Sequence, residues 1–486
     1  MPSGSVPVPL PVRRTHLAVW LVALVAFHVA GSWILPLIDR DEPRFAEASR
    51  EMIERGDWVI PWFNNTHRFD KPPLIYWMQI AAYRTFGESE FAARFPSAVC
   101  AALTALVLYG FGRRISGDRA AFWAAALFST SLQTAVHARA AVADMPMVLC
   151  FTAALWAGWE ILQRPRSPVA WTCWIAALAL GFLAKGPVAW LPVVPLLIGA
   201  FRGRRAPAGI ALGTLVSLVA AAGVVLLWAW PALVRTDGEF FRIGIGKHVV
   251  HRSVDAFEGH GADGAVGYLL MLPFFFLTVF LSFLPGSIFL PWLVRRLRAT
   301  GVMADAAVGY LFTSVLTVFV VFTLVSTKLP HYTLPAFPAL ALLLSMVWFR
   351  AGRESATLRR TCLAGALAWL ILCLPGAAIA RPFFPSPSLL NAAAPWLKPG
   401  MEFASVSFEE PSLVWYFRKK VRGFHRKLKI SQVERYLAQP GPRFVIVPTA
   451  DLVRIGNTPG VRDVRVQGWN LVNGKRVDLT LRIKED

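Results

Sequence analysis

Residues 209–234 read GIALGTLVSLVAAAGVVLLWAWPALV, an unbroken apolar run with no charged side chain. A helix of about 20 such residues crosses a hydrocarbon core, and a helix apolar on every side has no stable place on a water-soluble surface. Comparable runs recur at 16–38, 91–112, 120–136, 145–162, 168–184, 186–201, 267–294, 303–327, 331–349 and 361–380. The chain is therefore read as an α-helical polytopic membrane protein with about eleven transmembrane helices. Its composition, 56% hydrophobic, excludes an ordinary soluble domain.

Every second connection between these runs is basic. Arg13 and Arg14 come before the first run, followed by Arg113, Arg114 and Arg119, by Arg164 and Arg166, and by Arg202, Arg204 and Arg205. Arg295, Arg296 and Arg298, then Arg350, Arg353, Arg359 and Arg360, complete the series. Short basic loops stay in the cytoplasm, so residues 1–15 are expected inside and everything beyond 380 outside. The exit from the first run, Ile38-Asp39-Arg40-Asp41, has no small-residue cleavage site, so that run reads as a permanent helix. The membrane domain is taken as 16–394 and the tail as 395–486.

The tail has strand-sized runs at 443–447 and 479–483, with turns at Gly441-Pro442 and Asn473-Gly474. A small soluble α/β domain is expected there. The five cysteines all fall within apolar runs without metal or pairing spacing, and read as packing residues. Part of the net charge of +21 is the positive-inside bias. The basic residues Arg418, Lys419, Lys420, Arg422, Arg426, Lys427 and Lys429 lie in the external tail, where that bias has no bearing. A role in holding an acidic acceptor or lipid headgroups is one reading of them.

The external connections hold the chemistry, chiefly loops 39–90 and 235–266. Pro43 suits the first turn of a helix that Asp41 would cap. Phe45, Ala48, Met52 and Ile53 share one face of it, and Glu47, Arg50, Glu51 and Glu54 the other, as in a helix lying on a membrane surface. Asp41 and Arg44 would then stand at the water–lipid boundary. Lys71 comes just before a helix opened by Pro72-Pro73, where backbone N–H groups and the ammonium together favour a phosphate. The competing reading is a lysine snorkelling to headgroups.

Asp144 begins a run after Arg139, and Lys185-Gly186-Pro187 and Lys328-Leu329-Pro330-His331-Tyr332 place cations at tight external turns. Such cations run against the usual charge bias and mark candidate sites. In 235–266, His248 and His251 with Asp70 offer metal ligands, but not at any established zinc spacing. A divalent metal is a possibility that the sequence does not require. No glycine-rich phosphate loop precedes a helix, which argues against a nucleotide-driven pump, and no nucleic-acid partner is expected.

Three segments carry a family resemblance: 41–47 (DEPRFAE), 68–77 (RFDKPPLIYW) and 91–97 (FAARFPS). They resemble the bacterial 4-amino-4-deoxy-L-arabinose lipid A transferases, grouped with the protein O-mannosyltransferases in the GT-C superfamily. The likeness is dense over 39–150 and returns at 185–187 and 328–338; it is weak in the tail. It implies a GT-C membrane domain with a periplasmic α/β domain, and an undecaprenyl-phosphate sugar as donor. It further implies that Asp41 is the catalytic carboxylate, with Asp144 a second one near it. Arg44 and Lys71 would meet the donor phosphate, joined by Lys185, Arg252 and Tyr332, and Asp70 and His248 match positions associated with a metal. Pro43 stands where the family usually has a small residue, and the tail is shorter than typical; both bear on which sugar and acceptor are used.

The expected reaction is an inverting transfer at the periplasmic face to lipid A or a related glycolipid. A transferase acting on protein is an alternative. So is a flippase of the same lipid-linked sugars, but transporters gather ionisable groups near the bilayer midplane. Here the centres of the runs lack them and one face collects them. Membrane lipids are the other expected partners, and the sequence carries no signal of oligomeric state.

Overall fold

The computed structural model describes residues 14–203, 207–244, 246, 264–299, 301–456, 459–470 and 472–485. His248 and Arg252, with most of the 235–266 loop, lie outside the described residues. Among the described residues seven helices are long and apolar enough to cross a membrane, or eight if the bent pair Val266–Ser282 and Gly286–Leu297 is one span. The expected run at 120–136 is two helices, Asp118–Thr130 and Leu132–Ala138, parted at Ser131. The run at 186–201 is a 3-10 turn, Gly186–Trp190, leading into the short helix Val193–Gly203.

The chain divides into two compact units. The first comprises Met1–Val29, Phe69–Ile75 and Pro96–Trp369. Its helices Asp144–Gln163 and Pro168–Lys185 pack along each other, as do Asp118–Thr130 and Phe337–Arg350. Small residues allow the close approach that membrane helices need in place of a hydrophobic driving force. A Cβ on Gly158 would fall 2.7 Å from the Tyr310 hydroxyl and 2.9 Å from the Trp174 ring. With glycine there, Tyr310 reaches past it to donate to the Leu155 carbonyl at 2.8 Å. On Pro207–Arg235, Leu212, Leu215, Val216, Val219 and Leu227 are exposed, an apolar stripe suited to lipid and not to water.

The second unit comprises Ala30–Arg68, Tyr76–Phe95 and Leu370–Asp486. Its five-stranded sheet has the order β4-β3-β5-β7-β6, with β3 Glu402–Ser405, β4 His425–Lys427, β5 Arg443–Pro448, β6 Val461–Asn470 and β7 Lys475–Lys484. A separate two-stranded ribbon pairs β1 Trp62–Phe63 with β2 Thr66–His67. Strand β3 runs parallel to β4 and β5, and β7 antiparallel to β5 and β6. Helix Pro411–Phe417 makes the β3–β4 crossover and Val433–Ala438 the β4–β5 crossover. One face of the sheet buries Ala404, Val406, Val445 and Val447 against Val433, Tyr436 and Leu437. The hairpin β6–β7 turns at Gly474, whose φ of +68° is open to glycine at little cost.

The helix expected on the membrane surface spans Asp41–Arg55, but its charged face is not in water. Glu47, Arg50 and Glu51 are all buried. Arg50 bonds Glu47 and Glu88, each at 2.8 Å, and Arg418 pairs with Glu47 and, at 2.7 Å, with Glu54. Arg418 supplies the positive charge that makes burial of this face tolerable. Elsewhere in the basic run Lys419 pairs with Glu90 at 2.9 Å, Arg426 with Glu402 at 3.2 Å and Lys427 with Glu409 at 2.5 Å. Apart from Arg418, the residues of the run stay exposed.

Candidate active site

In the first unit, helix Asp144–Gln163 begins at Asp144 and the neighbouring helix Pro168–Lys185 ends at Lys185. Antiparallel packing brings these ends together, and Lys185 Nζ lies 2.5 Å from Asp144 Oδ1. Gly186, at φ +77°, ends the helix immediately after the lysine. Only 6% of Asp144 is exposed, and Lys185 supplies the opposite charge beside it. The Lys185 ammonium also lies 5.9 Å from the centre of the Tyr332 ring.

Two histidines complete the cluster. The ring of His137 lies 5.1 Å from that of His331, and ligating atoms of His137, Asp144 and His331 all fall within 4.8 Å of one another. His137 Nδ1 is 3.0 Å from the Gln133 carbonyl. The same Nδ1 lies 3.2 Å from the Gln133 side-chain nitrogen. Two imidazoles and a carboxylate are a donor set suited to a divalent metal. Here, however, the ammonium of Lys185 already sits on the carboxylate, and a metal ion would have to compete with it. Neither histidine was assigned a role from sequence. Asp144 is seven positions from His137 and far from His331 along the chain, so no local spacing signals the group.

Lys71 is half-buried, bonds the Asp70 carbonyl at 2.9 Å and precedes the helix Leu74–Phe86. It is close enough to His331 for its charge to act there. The structure thus brings together Asp144, Lys185 and Tyr332, with His137 and His331, and Lys71 lies in the same unit. Lys328, which the sequence presents as an equivalent of Lys185, has a different place. Its ammonium bonds the carbonyls of Phe322 at 3.1 Å and of Thr323 and Val325 at 2.6 Å, closing the end of the helix Ala306–Leu324. All three of its protons are used on backbone.

In the second unit, Asp41 is exposed and is the first residue of its helix; the capping position belongs to Arg40, whose side chain makes no capping bond. Asp41 is therefore not spent as a helix cap. The half-buried Arg44 lies near Asp39. Burial pushes the Asp39 carboxyl up to about 7, although it accepts bonds from the Ser412 N–H at 2.8 Å and the Ser412 hydroxyl at 2.5 Å.

Residues 70–230 match the family described as dolichyl-phosphate-mannose-protein mannosyltransferase. The undecaprenyl phosphate-alpha-4-amino-4-deoxy-L-arabinose arabinosyl transferase 2 of Sodalis glossinidius is 32% identical over 65% of this chain and 58% of its own length. The corresponding transferase of Edwardsiella ictaluri is 29% identical over 68% of this chain and 59% of its own. The chain thus spans just under three-fifths of the length of these curated relatives. The crystal structure of ArnT from Cupriavidus metallidurans bound to undecaprenyl phosphate superposes with a TM-score of 0.77 at 20% identity, over 96% of this chain and 98% of that one. In sequence and in fold, the chain is similar to the bacterial 4-amino-4-deoxy-L-arabinose transferases to which its motifs point.

Proposed function

We propose that this protein is an inverting glycosyltransferase that moves a sugar from an undecaprenyl-phosphate carrier to lipid A or a related glycolipid. The transfer takes place at the periplasmic face of the bacterial inner membrane, with the N-terminus in the cytoplasm. The observation that carries the reading is the Asp144–Lys185 pair, buried at the joined ends of two apolar helices with Lys71 and Tyr332 in the same unit. A cation held at the end of an apolar helix answers to a lipid phosphate as well as to its carboxylate partner. The relatives' names supply the sugar class and the carrier.

An acceptor oxygen attacks the anomeric carbon from the side opposite the phosphate. The new C–O bond forms as the bond to the carrier oxygen breaks, and undecaprenyl phosphate leaves with its electron pair. Lys71 and Lys185, with Arg44, Arg252 and Tyr332, are assigned to the charge that grows on the leaving phosphate. Lys71 comes just before the start of helix Leu74–Phe86, where the helix dipole favours an anion. Asp41 takes the proton when the acceptor is a hydroxyl. When the acceptor is an ionised phosphate there is no proton to take, and Asp41 orients it or steadies positive charge on the sugar. Asp144 holds Lys185 in place through the ion pair. Asp70 and His248 remain assigned as the candidate ligands of a divalent metal, and no step of the transfer is routed through it.

The test is transfer from purified undecaprenyl-phosphate aminoarabinose to lipid A by the protein in detergent or proteoliposomes, with the anomeric configuration of the product determined. Inverted product supports the reading. Retained configuration, or no turnover by folded protein, refutes it.

A further inference from the structure

One guanidinium gathers much of the segment that joins the first span to Asp41, which Leu37 and Asp39 also anchor through Tyr416 and Ser412. Arg94, on the helix Glu90–Ser116, is buried, and its five N–H groups are all bonded. Nε and Nη2 grip the two oxygens of Glu42 at 2.8 and 2.7 Å. Nη1 donates to the carbonyls of Ser32 at 2.9 Å and Leu35 at 2.5 Å, and Nη2 to that of Pro36 at 2.9 Å. Glu42 in turn accepts the N–H of Ile38 at 2.7 Å. One residue thus ties three carbonyls of the incoming segment to the carboxylate next to Asp41.

We propose that Arg94 is the positioning residue for Asp41, setting where that carboxylate stands through Glu42 and the carbonyls of Ser32, Leu35 and Pro36. The inference rests on the transferase reading, in which Asp41 meets the acceptor or the sugar. A planar fork with five donors has no substitute: lysine keeps the charge but has three donors in another geometry. Small displacements of a reacting group cost rate far more than binding, since a shift of about 1 Å is worth on the order of 100-fold. The pair is far from a mere surface bridge, because its donors are all committed and both partners are buried.

The test measures kcat and donor KM for the wild type, Arg94→Lys, Glu42→Gln, Asp41→Glu and the double variant Arg94→Lys/Asp41→Glu, with thermal midpoints recorded for each. Arg94→Lys should lower kcat by about 10- to 100-fold with donor KM within about twofold. The double variant should lose much less than the product of the two single losses, because both single changes misplace the same carboxylate. Losses that multiply, or a fall in thermal midpoint with kcat per folded molecule unchanged, would make Arg94 structural only and overturn the inference. If Arg94→Lys does not fold, Glu42→Gln, which keeps the volume but turns one of the two acceptor oxygens into a donor, decides by the same kcat criterion. Absence of transfer by the wild type would bring down the transferase reading itself, and a wild type that turns over beside a fully active Arg94→Lys would bring down only this inference.

Discussion

The ammonium of Lys185 lies 2.5 Å from Asp144 Oδ1, tying the last residue of one span to the first residue of its neighbour. Removing one member of such a buried pair leaves the other charge unpaired, at a cost of about 3–5 kcal/mol. Lys185→Met should therefore lower the thermal midpoint and abolish most transfer. Adding Asp144→Asn should restore much of the stability, since no unpaired charge remains, while transfer stays lost. Recovery of transfer in the double variant would remove both residues from the chemistry.

Lys328 should behave differently, although the sequence presents it in the same way. Its protons close the carbonyls of Phe322, Thr323 and Val325, and hydrogen bonds of a charged donor are worth about 1.5–3 kcal/mol. Lys328→Met should destabilise the protein and leave the donor KM of the folded fraction unchanged. Kinetics on a purified, folded fraction separate the two effects, and a raised KM would return Lys328 to the donor site.

Arg418 neutralises a buried acidic face. Its side chain is 5% exposed and pairs with Glu47 and Glu54, so Arg418→Ala should cost about 3–5 kcal/mol. Lys420 is exposed, and Lys420→Ala should change stability by less than about 0.5 kcal/mol. Thermal unfolding of the two variants side by side checks the contrast.

Asp39 makes stability depend on pH. Burial raises its carboxyl from 3.8 to about 7 in the folded protein, so the native state holds a proton that the unfolded chain releases. Its contribution is complete below pH 3.8 and is lost as pH rises through about 7. Buried His425, lowered by burial to about 4, works in the opposite sense: its contribution is present above 6.5 and is lost as pH falls through 4. The Asp39 effect is isolated by Asp39→Asn. The thermal midpoint of wild type minus that of the variant should fall between pH 5 and pH 8, and a flat difference would contradict the assignment.

Most of the spans and the tail strands β5 and β7 were legible because each follows from a local pattern, a long apolar run or a strand-sized one beside a turn such as Asn473-Gly474. The motif segments around Asp41 and Lys71 stand out in the sequence because their ionisable residues lie beside long apolar runs. What was not legible depends on partners remote in sequence. The stripe Glu47, Arg50, Glu51 and Glu54 has the spacing of a solvated face, and nothing near it announces Arg418, 371 positions from Glu47. Lys185 and Lys328 each stand at a tight turn before a proline, yet one meets a carboxylate on another helix and the other its own helix's carbonyls. Local sequence has no term for that difference.

The central claim is transfer of a carrier-bound sugar, tested most directly by incubating a panel of undecaprenyl-phosphate sugars with a membrane-lipid extract and wild type, Asp41→Asn or Lys71→Ala protein. The account predicts loss of one carrier-bound sugar and a new glycolipid with wild type alone. Unchanged donors, together with carrier movement across vesicles that the same substitutions stop, would contradict it and make the protein a flippase.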